Sequence, residues 1–124
     1  MNEPRDRTGE LERAVELIFR SALRAVHGEH VVRQALGRRG ELITIAGEEI
    51  VIAAGGRLML LGIGKAAAPM AAAAEAVLGE RLDRGCVITK YGHAMPLARC
   101  QVFEAAHPVP DTAGVAATQQ GLGE

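Results

Sequence analysis

RLMLLGIGKAAAPMAAAAEAVLG, residues 57–79, sets the class of this 124-residue chain. After Arg57, Leu58-Met59-Leu60-Leu61 is an unbroken apolar run, the composition of a strand covered on both faces in a parallel sheet, and the reading places it centrally. Gly62 and Gly64 interrupt the run. An alanine-rich helix follows from roughly Ala66 to Leu78, with Gly79 as its terminator. Pro69 is compatible with that helix only inside its first turn, because deeper in it would delete a hydrogen bond and clash with the Lys65 carbonyl. The helix therefore begins at or just after Ala66, and Lys65 stands on the lip of the loop.

Downstream, Cys86-Val87-Ile88-Thr89 and Gln101-Val102-Phe103-Glu104 read as further strands. Asp111 is placed to cap a helix through Ala113, Val115, Ala116 and Ala117. Strand, helix, strand, loop, strand, helix is the order of a three-layer α/β fold with a mostly parallel sheet and right-handed crossovers. Upstream, Leu42-Ile43-Thr44-Ile45 and Ile50-Val51-Ile52 flank Ala46-Gly47-Glu48-Glu49 and predict a hairpin. Leu11, Ala14, Val15, Ile18, Ala22 and Ala25 recur at helical spacing, so an amphipathic helix is expected there with Gly28 as its C-cap, then a short helix from His30 to Leu36 stopped by Gly37. Residues 1–40 are expected to form a helical segment packed on a domain made by residues 41–124. Only about three helical turns follow Asp111, with no closing strand, so that domain is expected to be truncated at its carboxyl end.

Composition narrows the class of function. Hydrophobic residues make up 48% and charged residues 23%, the balance of a globular chain, while aromatics at 2% leave a core of alanine and aliphatics with little apolar area per residue. The formal charge of −1 arises from 14 basic and 15 acidic residues mixed along the chain, which argues against nucleic acid or an acidic membrane as partner. The charged amino terminus has no apolar core of a secretory signal and no run approaches a membrane span, so a cytoplasmic protein is expected. Cys86 and Cys100 are too few for a disulfide framework and fall in strands, so buried free thiols are expected.

The turn Gly62-Ile63-Gly64-Lys65 carries the chemistry. A helix start leaves backbone N–H groups unpaired and partially positive, and side-chain-free glycines let an anion approach them. A lysine in that position is unfavourable by about 0.3–1 kcal/mol unless a negative ligand shares the site, and neither an acidic residue nor a serine, threonine or aspartate cap is present. The spacing is not a Walker A loop, because Met59 stands where the first glycine belongs and Ala66 follows the lysine. Gly62-x-Gly64-x-x-Ala67 fits a relaxed dinucleotide fingerprint, but the next strand ends in Thr89-Lys90-Tyr91 with no acidic residue for a ribose, which disfavours NAD. A plain tight turn with a solvated Lys65 remains the alternative.

Lys90-Tyr91-Gly92-His93 and His107-Pro108-Val109-Pro110-Asp111 each follow a strand, so both loops should share the rim of Lys65, where open α/β sheets bind ligands. Lys65, Lys90, His93 and His107 together would attract a carboxylate or phosphate; ordinary solvated side chains near turns are the alternative. Cys86, His93, Cys100 and His107 recur every seven residues. Cysteines within strands lack the two-to-four-residue knuckle of a metal site, so no metal site is expected.

Three segments, Gly62-Ile63-Gly64-Lys65-Ala66-Ala67, Val87 to His93 and His107 to Asp111, make the chain resemble the amino-terminal domain of class II glycerate kinases, the glycerate 2-kinases. The resemblance runs from Leu11 onward and is strongest from Leu60 to Ala117; Pro69 and Ala106 replace the more usual alanine and glycine. It implies a Rossmann-like domain and ATP-dependent phosphorylation of D-glycerate to 2-phosphoglycerate, with magnesium accompanying the nucleotide. It also implies a cleft completed by a carboxyl-terminal domain of the same chain, so the segment alone is expected to be inactive; a homodimer is compatible with it. Lys65 matches the family's active-site lysine, and Gly62, Gly64, Lys90, Gly92, His93, His107 and Asp111 fall in the matched loops as substrate or phosphate binders. A hydroxypyruvate reductase and an inactive anion-binding fragment are the alternatives.

Overall fold

The computed structural model describes residues 7–123; the first six residues of the charged amino terminus and Glu124 lie outside them. Two helices come first, α1 (Arg7–Ala25) and α2 (Gly28–Ala35), followed by three short strands, β1 (Leu36–Arg39), β2 (Leu42–Ile45) and β3 (Glu48–Val51). Then come β4 (Met59–Ile63), α3 (Ala67–Leu78), a 3-10 turn at Gly79–Arg81, β5 (Arg84–Lys90), β6 (Cys100–Ala105) and α4 (Thr112–Leu122). Strands β1, β2 and β3 form an antiparallel meander, and β4, β5 and β6 a parallel sheet in that order.

The parallel sheet is the middle of three layers. Side chains on β5 alternate between its faces: Val87 joins Ala67, Ala68, Ala71, Ala74 and Leu78 of α3, whereas Cys86 and Ile88 join Ala117 of α4. One helix thus covers each face, as the α/β reading requires. Cys100 lies with the α3 cluster and Cys86 with the α4 cluster, so the two buried thiols are free and face opposite ways. That division keeps Cys86 and Cys100 from sharing one metal site with His93 and His107.

Several elements depart from the sequence expectation. The first parallel strand is two residues later than Arg57–Leu61 and, among the described residues, lies at the edge of the sheet instead of its centre, which β5 occupies. Its half-buried Leu60 faces α3, but Met59, Leu61 and Ile63 are exposed, because α4 packs over β5 and β6. The hairpin turn needs only two residues: Ala46 (φ 50°) and Gly47 (φ 91°) both take positive φ, so Glu48 and Glu49 already belong to β3. Leu36 and Gly37 pair with Ile45 and Thr44 as a strand, and the turn at Gly40–Glu41 places residues on both sides of position 40 in one sheet. Gly28 opens α2 instead of capping α1; a Cβ there would stand 2.6 Å from Met70 Cγ, so a larger residue would displace the Met70 side chain where α2 crosses the first turn of α3.

The meander is tied to the far end of α3. The Arg38 guanidinium donates to the Leu78 carbonyl (2.6 Å), to Glu80 (2.7 Å) and to the Gly40 carbonyl (2.9 Å), placing a cation at the negative end of the α3 dipole. Arg81 donates to Glu41 (2.8 Å) and to the Gly56 carbonyl (2.7 Å). Strand β6 is fixed from the same helix: Glu75 accepts backbone N–H bonds from Ala98 and Arg99 at 2.7 Å and from Cys100 at 2.8 Å. Burial and the adjacent Glu75 carboxylate push the Cys100 thiol up to about 12.

Burial alone would raise the Glu75 carboxyl, but the N–H bonds from Ala98, Arg99 and Cys100 outweigh it and hold the group below its ordinary value of 4.5. Its folded value is therefore lower than its unfolded value, so the stability it contributes is present above that unfolded value and is lost as pH falls through the folded one. Urea titrations should show Glu75→Gln less stable at pH 7 by on the order of 1 kcal/mol. The mutant's stability should also fall less than wild type's between neutral pH and pH of about 3; parallel curves would deny Glu75 this role.

Candidate functional site

Strand β4 ends at Ile63, so the turn itself is Gly64-Lys65-Ala66. Gly62 sits inside the strand, where a Cβ would meet Val87 Cγ2 at 3.3 Å and the Ala67 Cβ at 3.4 Å. Its job is close packing of α3 on the sheet. Gly64 makes the turn: it has φ 116°, a conformation L side chains rarely adopt, and its N–H donates to the Ile88 carbonyl at 2.9 Å. The Gly64 carbonyl then accepts from Ala67 N–H at 3.0 Å, starting the helix.

The start of α3 is poor in acceptors. Its N-cap, Ala66, has no side-chain hydrogen bond, and no acidic residue lies in the first turn. Pro69, the third helical residue, has no N–H to satisfy, which is why the proline is tolerated there. Lys65 is exposed, and open space surrounds the position where Gly64 would carry a Cβ. Among the described residues, Lys65 has no ion-pair partner. An uncapped helix N-terminus beside an unpaired ammonium is a favourable place for an oxyanion.

The other two loops emerge from the same edge of the sheet, because β4, β5 and β6 run parallel, with Ile63 beside Ile88 and Lys90 beside Ala105. Lys90 is the half-buried last residue of β5, and His93 is exposed in the loop beyond it. Gly92 has φ 74°, and the loop is closed by His93 N–H to the Lys90 carbonyl at 3.0 Å. Glu104 on β6 accepts from the N–H groups of His93 (3.1 Å) and Ala94 (3.0 Å). Sequence reading overlooked this carboxylate, whose position on a strand gave no sign of a loop role.

Asp111 ties the second loop to the third. One of its oxygens caps α4 through Gly114 N–H (3.0 Å), and the other accepts the Tyr91 hydroxyl (2.8 Å). The Tyr91 hydroxyl and the Gly114 N–H hold the Asp111 carboxyl below its ordinary value, and the same bond raises the tyrosine. With both oxygens engaged, Asp111 shapes the rim. His107 and Asp111 line a cavity of about 360 Å³ on the α4 side, together with Ile63, Ile88, Pro108 and Val115. Lys65, Lys90 and His93 do not line it, and among the described residues no ion pair joins Lys65 to either later loop. Among the described residues no group of three His, Cys, Asp or Glu side chains could hold a metal ion. No helix among them is long and apolar enough to cross a membrane.

Residues 14–123 match the family described as a domain of unknown function, DUF4147. A D-glycerate 2-kinase of Thermotoga maritima is 45% identical over 67 residues, 53% of this chain and 16% of that protein. A glycerate 2-kinase of Pyrococcus horikoshii is 33% identical over 101 residues, 82% of this chain and 22% of that protein. An Agrobacterium vitis protein, provisionally named a hydroxypyruvate reductase, is 45% identical over 74 residues. The crystal structure of a P. horikoshii protein superposes with a TM-score of 0.73 at 30% identity, covering 96% of this chain and 25% of that one. That of T. maritima glycerate kinase gives 0.65 at 29% identity, covering 90% and 24%. The chain spans about a fifth of the length of the curated relatives it matches, from 16% to 22%.

The two glycines of the turn should respond differently to a methyl group. Gly64→Ala, strained at φ 116° but uncrowded, should lower the unfolding free energy by about 1–3 kcal/mol in urea titration and perturb the amide resonances of Lys65 and Ala66. Gly62→Ala should cost less than Gly64→Ala, because its neighbours need give by only a few tenths of an ångström, with the perturbation centred on Val87 and Ala67.

Proposed function

The chain belongs to the DUF4147 family, and on that premise we propose that it is the amino-terminal part of a D-glycerate 2-kinase. The complete enzyme would transfer the terminal phosphoryl group of ATP to the 2-hydroxyl of D-glycerate, giving 2-phosphoglycerate. The observation that carries this reading is the uncapped start of α3 with Lys65 beside it, at the carboxyl edge of a parallel sheet. The names of the T. maritima and P. horikoshii relatives supply the substrate class.

Phosphoryl transfer asks a protein mainly to position reactants and neutralise charge. Both tasks suit what this segment offers. The Lys65 ammonium and the N–H groups at the start of α3 would hold the glycerate carboxylate or the transferring phosphoryl group, and preorganised donors of this kind act without reorganising. Lys90, Gly92, His93 and His107 would line the same cleft from the neighbouring loops, with Asp111 and Tyr91 fixing its shape. ATP supplies the phosphoryl group. Magnesium would accompany it, with ligands largely outside this segment.

We place the enzyme in the cytoplasm, with its cleft closed by a carboxyl-terminal domain of the same chain and a homodimer as a compatible assembly. A hydroxypyruvate reductase is the weaker reading. It needs a nicotinamide cofactor, and β5 ends in Thr89-Lys90-Tyr91 without the acidic residue that grips a ribose.

The test is ADP release with D-glycerate by a full-length protein carrying this segment. Lys65→Ala should lower kcat/KM by roughly 10²–10³-fold, the loss typical of removing one donor to developing charge. Activity unchanged in the mutant would remove Lys65 from the site, and nicotinamide oxidation with hydroxypyruvate in place of ADP release would move the protein to the reductase reading.

A further inference from the structure

Thr89 is the one buried polar side chain among the described residues, at 2% exposure, and its hydroxyl has no hydrogen-bond partner. Buried hydroxyls are almost always bonded, and valine would fill the same volume without a hydroxyl to desolvate. A threonine left in this condition calls for an acceptor or donor that comes from elsewhere.

Its position names the place. Side chains alternate along β5, so Thr89 lies on the α3 face, like Val87, one pleat nearer the rim. Val87, Gly62 and Ala67 meet at the level where α3 begins its packing on the sheet. Two residues further along these parallel strands, Thr89 stands at the level of Gly64, whose N–H bonds the Ile88 carbonyl immediately before it. The orphaned hydroxyl therefore lies beneath the Gly64-Lys65-Ala66 turn, on the side from which the uncapped start of α3 is approached from within.

We propose that Thr89 is a binding residue of the turn: its hydroxyl donates to an oxygen of the anionic group seated at the start of α3. The assignment rests on the kinase reading for the identity of that group, a carboxylate or a phosphoryl group, but not for its charge. Three kinds of donor then converge on one anion, namely the Lys65 ammonium, the backbone N–H groups of the turn and the Thr89 hydroxyl. Lys65 is exposed, whereas Thr89 supplies the contact from the protein interior. Because the hydroxyl is covered in the structure, the anion reaches it as the turn shifts about Gly64, a movement that releases the Gly64 N–H bond to the Ile88 carbonyl.

The experiment is an amide NMR titration of this chain with inorganic phosphate and, separately, with D-glycerate, reading Gly64, Lys65 and Ala66 in wild type, Thr89→Val and Thr89→Ser. Thr89→Val should weaken binding by about tenfold or more, as expected for losing a hydrogen bond to a charged group, and Thr89→Ser should stay near wild type. Thr89→Val should at the same time be no less stable in urea than wild type, an outcome that separates lost binding from lost folding. Equal affinity of wild type and Thr89→Val for both anions, or no shift of these amides by either anion in wild type, overturns the assignment. Binding of phosphate that depends on Thr89, with no D-glycerate binding and no ADP release by the full-length protein, would leave the assignment standing and sink the kinase reading.

Discussion

The contact of Gly62, Val87 and Ala67 is the constraint on which the rest depends. A Cβ at position 62 would stand 3.3 Å from Val87 Cγ2 and 3.4 Å from the Ala67 Cβ, so the missing side chain sets how closely α3 approaches the sheet. The helix meets that approach with small residues: Ala67, Ala68, Ala71, Ala73 and Ala74 are buried along it, and only Leu78 is large. Each alanine buries little area, so this core gains its cohesion from close packing more than from bulk. The same contact fixes where α3 starts, and hence where its unpaired N–H groups face the rim.

The two ends of α3 are treated in opposite ways. At its carboxyl end Arg38 satisfies the Leu78 carbonyl and Arg81 holds the meander alongside, so the negative pole of the helix is met by protein cations. Midway, Glu75 anchors the entry to β6 through three backbone N–H bonds. The amino end has none of this: alanine caps it, proline removes one donor, and a lysine adds to its positive charge. A helix whose far end is met by protein cations, and whose rim end has no side-chain cap and a lysine beside it, is suited to a negative group there. Asp111 and Glu104, the carboxylates nearest the rim loops, are both engaged with protein donors.

Much of this was legible in the sequence. Gly79 ended α3 as its glycine suggested, Pro69 fell within the first turn, and Asp111 capped α4, because each of these signals acts within a few residues. The strands β5 and β6 were legible for the same reason, as short apolar runs between turns. Position within the sheet was not: Arg57 to Leu61 reads as a central strand, but edge or centre is decided by what pairs with it, and among the described residues β4 has a partner on one side only. Strand β1 was hidden because Leu36-Gly37-Arg38-Arg39 has no alternation; its hold on the fold is the Arg38 bond to a carbonyl 40 residues away. In the site, Lys65 stood out as a charge in the wrong place for a helix, whereas Thr89 looked like any strand threonine until its surroundings were known.

Lys65 and Lys90 are the two lysines of the chain, so amine labelling reads the site without interference from other side chains. The most direct measurement is the rate of Lys65 acetylation, followed by peptide mass, with and without saturating D-glycerate. An anion seated on the start of α3 would shield the Lys65 ammonium and slow its labelling severalfold. Identical Lys65 labelling rates with and without D-glycerate would contradict the account.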